Sequence, residues 1–397
     1  MFRTLTLAPP DAIFGLTEAF GRDPNPDKIN LGAGVFKDEA GRTPVLAAVT
    51  AAERRLVDGE RSKVYRPIVG EARYGELVRD LVFGDEPPPG LGDRCVTAHS
   101  PGGTGALRVV GECLAKLPRR PTVWVTTPTW ANHRAIFSAA GLRLEALPYF
   151  DATANALDFG ALLDGLNRPA PGDVVLLHGC CHNPTGVDPS PTQWQQIAER
   201  LSARELLPLV DFAYQGFGDG LQEDAQGVRM LAERLPELIV CSSFSKNFGL
   251  YNERTGAVSI LAENADAAEL VRSNLKVAIR SNYSNPPAHG ANIVRTILDD
   301  AELASGWRAE LAMMRDRIRG MRTLFVETLA AKRASLDGAA ILRQRGMFSL
   351  IPGVGPAAAQ SMRDKYSVYI VDSGRINVAG ITPSNVERLC DALVGVL

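Results

Sequence analysis

Asp173-Val174-Val175-Leu176-Leu177 runs without a break into His178-Gly179-Cys180-Cys181-His182-Asn183-Pro184-Thr185-Gly186. After its opening acid the first stretch is apolar at every position. Such a run suits a strand covered on both faces better than one with a wet face. The second stretch carries two imidazoles, two thiols and an amide in a turn closed by Pro and Gly. In an open parallel sheet, ligands sit beyond the carboxyl ends of the strands. A buried strand that opens onto reactive side chains fits that architecture.

Three other stretches repeat the pattern. Thr122–Thr126 (TVWVT) leads to Pro128-Thr129-Trp130. Leu206–Val210 (LLPLV) leads to Asp211-Phe212-Ala213-Tyr214, and Leu238–Cys241 (LIVC) to Ser242-Ser243-Phe244-Ser245-Lys246-Asn247. Ser190-Pro191-Thr192-Gln193 reads as a capping box with Pro in the first turn, opening a helix through about Arg204. Strands alternating with helices imply right-handed βαβ units and a mostly parallel α/β sheet. The last hundred residues read differently. Ala301 to about Ala331 carries apolar residues at helical spacing, and shorter pieces follow at Gly346–Ile351, Tyr366–Val371 and Arg375–Val378, with a final helix from Ser384. The expected organisation is an arm and part of a small domain over residues 1–44, a large α/β domain over 45–300, and a small α+β domain over 301–397.

The chain has 397 residues, 43 basic against 45 acidic, for a net charge of −2. Its 45% hydrophobic content is too high for disorder, and its balanced charge gives no long-range field for nucleic acid or an anionic membrane. No apolar run approaches a membrane span. The first fifteen residues lack a basic region followed by an apolar one, so a cytoplasmic location is expected. The six cysteines (95, 113, 180, 181, 241 and 390) show no paired spacing. They read as reduced core thiols, with no metal site expected.

Lys246 stands out among only eight lysines. A buried strand leads to it, and small hydroxyl residues flank it. Desolvation at such an edge lowers an amine's pKa and makes it a nucleophile. Gly102-Gly103-Thr104-Gly105 precedes a helical pattern whose N-terminus offers backbone N–H groups to a phosphate, with Ser243, Ser245 and Arg254 near the lysine in sequence. Asp211, a carboxylate at a buried strand end, needs a cationic partner, which a pyridinium N–H supplies. An amine for an aldehyde, a phosphate cradle, a carboxylate and a stacking Trp130 together describe pyridoxal phosphate.

At this point the chain is identified as similar to class I pyridoxal-phosphate aminotransferases, of the aspartate and aromatic group and of fold type I. The resemblance runs through Lys28–Glu39 (KINLGAGVFKDE), Pro101–Leu107, Thr127–His133, Val174–Val187, Asp211–Phe217, Ser243–Arg254 (SFSKNFGLYNER), Asn282–Gly290 and Ser373–Gly380 (SGRINVAG). It implies that Lys246 holds the cofactor covalently and that Asp211 pairs with its ring nitrogen. Tyr214 and Asn183 bond its phenolic oxygen, and Trp130 stacks on the ring. Gly103, Thr104, Ser243, Ser245 and Arg254 hold the phosphate, with Tyr65 reaching it from the other subunit of a homodimer. His133 and His178 support Asp211 from behind. Arg375 clamps the substrate α-carboxylate with help from Gly34, Asn183 and Trp130, and Arg280 grips a distal carboxylate from the neighbouring subunit. The implied reaction is ping-pong transfer of an amino group from aspartate to 2-oxoglutarate. Because Val64 and Phe36 depart from the residues usual in the aspartate branch, the alternative is an enzyme acting mainly on tyrosine and phenylalanine.

Overall fold

The computed structural model describes residues 2–7, 14–84, 87–88, 90–332 and 336–397. They form two compact units, one of residues 44–316 and one of residues 1–43 with 317–397. The second segment of the smaller unit begins at Arg317, inside the helix Ala301–Ala331. No helix of the described residues is long and apolar enough to cross a membrane.

The strands, numbered in chain order, begin with β1 (Ile29–Asn30), β2 (Cys95–Pro101), β3 (Thr122–Thr127), β4 (Arg143–Pro148), β5 (Phe150–Asp151) and β6 (Ala156–Leu157). They continue with β7 (Val174–His178), β8 (Leu207–Phe212), β9 (Leu238–Ser243), β10 (Thr255–Leu261), β11 (Phe348–Leu350), β12 (Val368–Tyr369) and β13 (Arg375–Asn377). In the larger unit seven strands make one sheet in the order β2-β10-β9-β8-β7-β3-β4. Only β10 runs against its neighbours.

The four anticipated strands are present, and each ends one or two residues later than expected. Strand pairing explains the extension. Parallel pairing matches His178 with Asp211 and Asp211 with Cys241, while antiparallel pairing with β10 carries β9 through Ser243 opposite Gly256. Asp211 and His178 are therefore fixed inside the ladder rather than left in the loops beyond it.

One face of this sheet is covered by the helices Gly102–Leu114 and Ala265–Asn282. Val123, Val125, Val174, Leu176, Leu209, Ile239 and Val258 pack there with Leu107, Val110, Leu275 and Ile279. Val175, Leu177, Val210 and Val240, which alternate with them, are buried as well, as two-sided cover requires. Each such side chain contributes about 1.5–3 kcal/mol. The helix Pro191–Ala203 opens with the full capping box: Ser190 Oγ accepts from Gln193 N and Gln193 Oε1 accepts from Ser190 N.

The smaller unit holds two short ribbons, parallel β1–β12 and antiparallel β11–β13, with the helices Pro356–Tyr366 and Val386–Val394. None of the six cysteines is in a disulfide; five are buried and Cys113 is half-buried.

Candidate active site

In the larger unit the carboxyl ends of neighbouring strands gather the polar groups. Asp211 on β8 is buried, and its Oδ2 lies 2.9 Å from His133 Nε2. His133 Nδ1 is 2.9 Å from Thr129 Oγ1, which in turn is 3.1 Å from His178 Nε2, and the Asn183 N–H points at His178 Nδ1 at 3.4 Å. Donors and acceptors fix the direction of this chain. An ionised Asp211 accepts, so His133 Nε2 carries a hydrogen and His133 Nδ1 accepts from the threonine hydroxyl. That hydroxyl oxygen accepts from His178 Nε2, and His178 Nδ1 accepts from Asn183. Every donor points toward the carboxylate.

Burial alone would push Asp211 up. The His133 hydrogen bond and the nearby imidazoles and Lys246 outweigh it and hold the carboxyl below its ordinary value. Burial pushes His178 down to about 3, so it stays neutral, as the chain requires. Asp211 Oδ1 takes no hydrogen bond among the described residues, which leaves it an open acceptor.

Lys246 follows β9 and is half-buried. Its Nζ lies 5.0 Å from the centre of the Tyr214 ring. Asn183 Nδ2 donates to Tyr214 Oη at 3.5 Å. Trp130 stands edge-on to His133, with ring centres 5.2 Å apart. The structure thus joins Lys246, Tyr214, Asn183 and Asp211 through contacts, with Trp130 attached through His133.

A second cluster forms where β2 passes directly into the helix Gly102–Leu114, with no intervening loop. Gly102 has φ +73°, and a Cβ there would come within 2.5 Å of the Arg254 guanidinium. A Cβ on Gly103 would lie 3.1 Å from Ser243 Cβ. Ser243 Oγ donates to Ser245 Oγ at 3.3 Å, and Arg254 donates to Ser245 Oγ at 3.2 Å. No carboxylate of a described residue pairs with Arg254. An uncapped helix N-terminus, two hydroxyls and an unneutralised arginine suit a phosphate dianion. Together with the open carboxylate oxygen of Asp211 and the amine of Lys246, this donor set fits pyridoxal phosphate.

In the smaller unit Arg375 is buried on β13. It donates to Gly32 O at 2.8 Å, and its guanidinium lies 4.1 Å from the centre of the Phe348 ring. Gly34 is required where it stands, because a Cβ there would meet Phe348 Cζ at 2.7 Å. Asn377 Nδ2 donates to Ala33 O at 2.8 Å and Val35 O at 2.7 Å, fixing the segment that bears Gly34.

Two expected site residues of the larger unit do not join the Lys246 cluster within one chain. Tyr65 is 91% exposed. Arg280, also exposed, ends the helix Ala265–Asn282 and pairs with Ser284. Thr129, Phe348 and Asn377 were not anticipated. Thr129 had a signal in its place between Pro128 and Trp130 after a buried strand; Phe348 and Asn377 had none apart from lying in short β pieces.

The sequence profile for "Aminotransferase class I and II" matches residues 26–393. Over 397 residues, all of both chains, the protein is 50% identical to aspartate aminotransferase of Escherichia coli. It is 46% identical to aromatic-amino-acid aminotransferase of Pseudomonas aeruginosa over 396 residues, all of this chain and 98% of that one. Its structure superposes with a TM-score of 0.96 on the aromatic-amino-acid aminotransferase of Burkholderia pseudomallei, solved covalently bound to pyridoxal phosphate. That pair is 45% identical, covering 100% of this chain and 99% of the other. The open carboxylate, the strand-end lysine and the anion cradle are thus those of a protein that belongs to the class I and II aminotransferases.

Proposed function

We propose that this protein is a cytoplasmic, homodimeric, pyridoxal-phosphate-dependent aminotransferase that moves the amino group of aspartate to 2-oxoglutarate, with aromatic amino acids as further substrates. One observation carries the reading. Lys246 and Tyr214 meet near Asp211, whose carboxylate is kept ionised by the His133 hydrogen bond and the nearby imidazoles and has one oxygen left to accept. When bound, the cofactor supplies an aldehyde that condenses with amines and a cationic ring that takes up the electron pair released at the substrate's Cα.

The protein's part is binding, orientation and proton movement. Lys246 Nζ anchors the cofactor. Once an incoming amine displaces it, the freed amine acts as the general base that moves the proton from Cα. Asp211 Oδ1 accepts the ring N–H and keeps that nitrogen protonated. Tyr214 Oη and Asn183 Nδ2 hold the phenolic oxygen, and the Trp130 indole covers a ring face. The N–H groups of Gly103 and Thr104, with Ser243, Ser245 and Arg254, hold the phosphate.

Arg375, whose planar fork suits a carboxylate, is assigned the substrate α-carboxylate, with Gly34, Asn183 and Trp130 as further substrate-binding residues. Tyr65 and Arg280 serve the site of a second copy of the chain. Their exposure supports this role. Arg280 then selects dicarboxylic substrates.

Borohydride reduction of the purified protein followed by peptide mass mapping tests the anchor. The reduced adduct is expected on Lys246, and a label elsewhere, or none, removes the proposal. Values of kcat/KM for aspartate, tyrosine and phenylalanine with 2-oxoglutarate test the substrate. Arg280→Ala is expected to cut the aspartate value far more than the phenylalanine value.

A further inference from the structure

Cys180 and Cys181 have no part in that reaction, yet the fold gives them an unusual arrangement. In an extended chain successive side chains point to opposite faces. Cys181 instead has φ 51°, a left-handed conformation that costs a non-glycine residue about 1–2 kcal/mol. Asp188 holds the turn by accepting the N–H of Cys181 at 2.7 Å and of His182 at 2.8 Å. The outcome is two sulfurs and a carboxylate oxygen of Asp224 that all lie within 4.8 Å of one another, in residues only 6%, 2% and 7% exposed. Asp224 is itself rigid. It accepts the N–H groups of Gly216, Gly218 and Asp219 at 2.8–2.9 Å, and that of Gly220 at a long 3.5 Å.

We propose that Cys180 and Cys181 form a dithiol site for trivalent arsenic, entered by neutral arsenous acid, As(OH)3. Two As–O bonds and two S–H bonds break, two As–S bonds form, and two waters leave, each carrying one thiol proton. Arsenic stays trivalent, so no oxidant or reductant is needed. The remaining As–OH donates to Asp224, whose fourth acceptor position is held only by the long Gly220 contact. A neutral molecule suits this site because it brings no bare charge into the interior. It also lets thiols that burial keeps protonated, as at Cys180, react without first ionising. A divalent cation would need both thiolates formed. Asn183 lies two residues beyond Cys181, so the adduct is expected to slow transamination under the reading above, although arsenic binding itself does not depend on that reading.

The test incubates the holoenzyme with arsenite and reads bound arsenic by native mass spectrometry, with thiol alkylation and peptide mapping alongside. One arsenic per chain is expected. When the chain is unfolded in the alkylating reagent, Cys180 and Cys181 should both be protected, while Cys95, Cys113, Cys241 and Cys390, then exposed, are not. Dithiothreitol should strip the adduct where a monothiol does not. Losing either sulfur removes the chelate, so Cys180→Ser and Cys181→Ser should each weaken retention about a hundredfold, and Cys113→Ser should leave it unchanged. An adduct on other residues, no adduct, or full retention in either serine variant overturns the site. The alkylation map of the unsubstituted protein decides the question even if a variant fails to fold. Because the mass readout needs no turnover, it also stands apart from any failure of the aminotransferase reading.

Discussion

In the larger unit Asp211 is reached through side chains alone: the carboxylate on β8, the imidazole of His133 on the helix Asn132–Ala139, the hydroxyl of Thr129 just beyond β3, and the imidazole of His178 on β7. In the smaller unit Arg375 is placed by side chains that grip main-chain carbonyls. Arg375 holds Gly32 O, Asn377 holds Ala33 O and Val35 O, and Arg322 holds the carbonyls of Gly346 and Phe348. A seven-stranded ladder supplies position without help, so its side chains are free to set charge and protonation. Ribbons of two or three residues cannot supply it, so side chains are spent on fixing the backbone. Substitutions should therefore alter chemistry in the larger unit and placement in the smaller.

The largest expected effect tests the chemical half of this contrast. Lys246→Ala removes the amine that anchors the cofactor and moves the proton, and nothing else at the rim supplies one. Turnover should fall by more than about a thousandfold. The sheet should be untouched, because the half-buried side chain sits beyond β9 rather than in the core. Circular dichroism and thermal melting should overlay those of the unsubstituted protein. Near-normal turnover would defeat the assignment, and a lost fold would defeat the separation of chemistry from placement.

How far each half could be read from sequence follows the same division. TVWVT, DVVLL, LLPLV and LIVC are apolar enough to declare themselves as buried strands, and a strand's end can be located without knowing its neighbours. Lys246, Asp211, Tyr214 and Asn183 were legible for that reason. Phe348 and Asn377 were not, because their roles depend on facing a segment over three hundred residues away in sequence, and a three-residue ribbon has no periodicity to announce it. Thr129 lay between the cases: its strand was visible, but its bridging of two imidazoles depends on where β7 lies beside β3.

Acid should next separate the two units. All five histidines (99, 133, 178, 182 and 289) lie in the larger unit. Burial lowers His99 and His178 from 6.5 to about 3. Between those values the unfolded chain binds a proton at each site and the folded chain does not. Stability is therefore complete above pH 6.5 and declines as pH falls, by about 1.4 kcal/mol per pH unit for each histidine. Hydrogen exchange at pH 7 and 5.5 should show protection lost across the sheet of the larger unit. Burial lowers His182 as well, so His99→Gln should reduce that loss by about a third. Equal loss in the smaller unit would show that histidine protonation is not its cause.

The placement half is tested at Asn377. Its Nδ2 fills two carbonyls and its Oδ1 accepts from Ala379 N at 3.1 Å, all within the smaller unit. Asn377→Ala leaves these groups unpaired, at a cost of about 2–3 kcal/mol in unfolding free energy. Because Gly34 and the carbonyl partner of Arg375 lie on the released segment, KM for every amino acid substrate should rise while kcat changes little. A fall in kcat with KM preserved would mean that Asn377 acts on the chemistry and not on the clamp.

The smallest effect is the sharpest test of the chain behind Asp211. Thr129→Val keeps the volume but removes the hydroxyl that donates to His133 Nδ1 and accepts from His178 Nε2. His133 is then free to carry its hydrogen on Nδ1, and in that tautomer it offers Asp211 a lone pair in place of a donor. The carboxyl loses the largest contribution opposing its burial, so its pKa rises. The acid limb of the kcat/KM profile should move to higher pH, with a loss of about three- to tenfold at neutral pH. Thr129→Ser, which restores the hydroxyl, should return both. A profile that keeps its shape while stability drops would make Thr129 a packing residue. A shifted limb that serine repairs would show that the sheet-borne site tunes protonation through side chains alone.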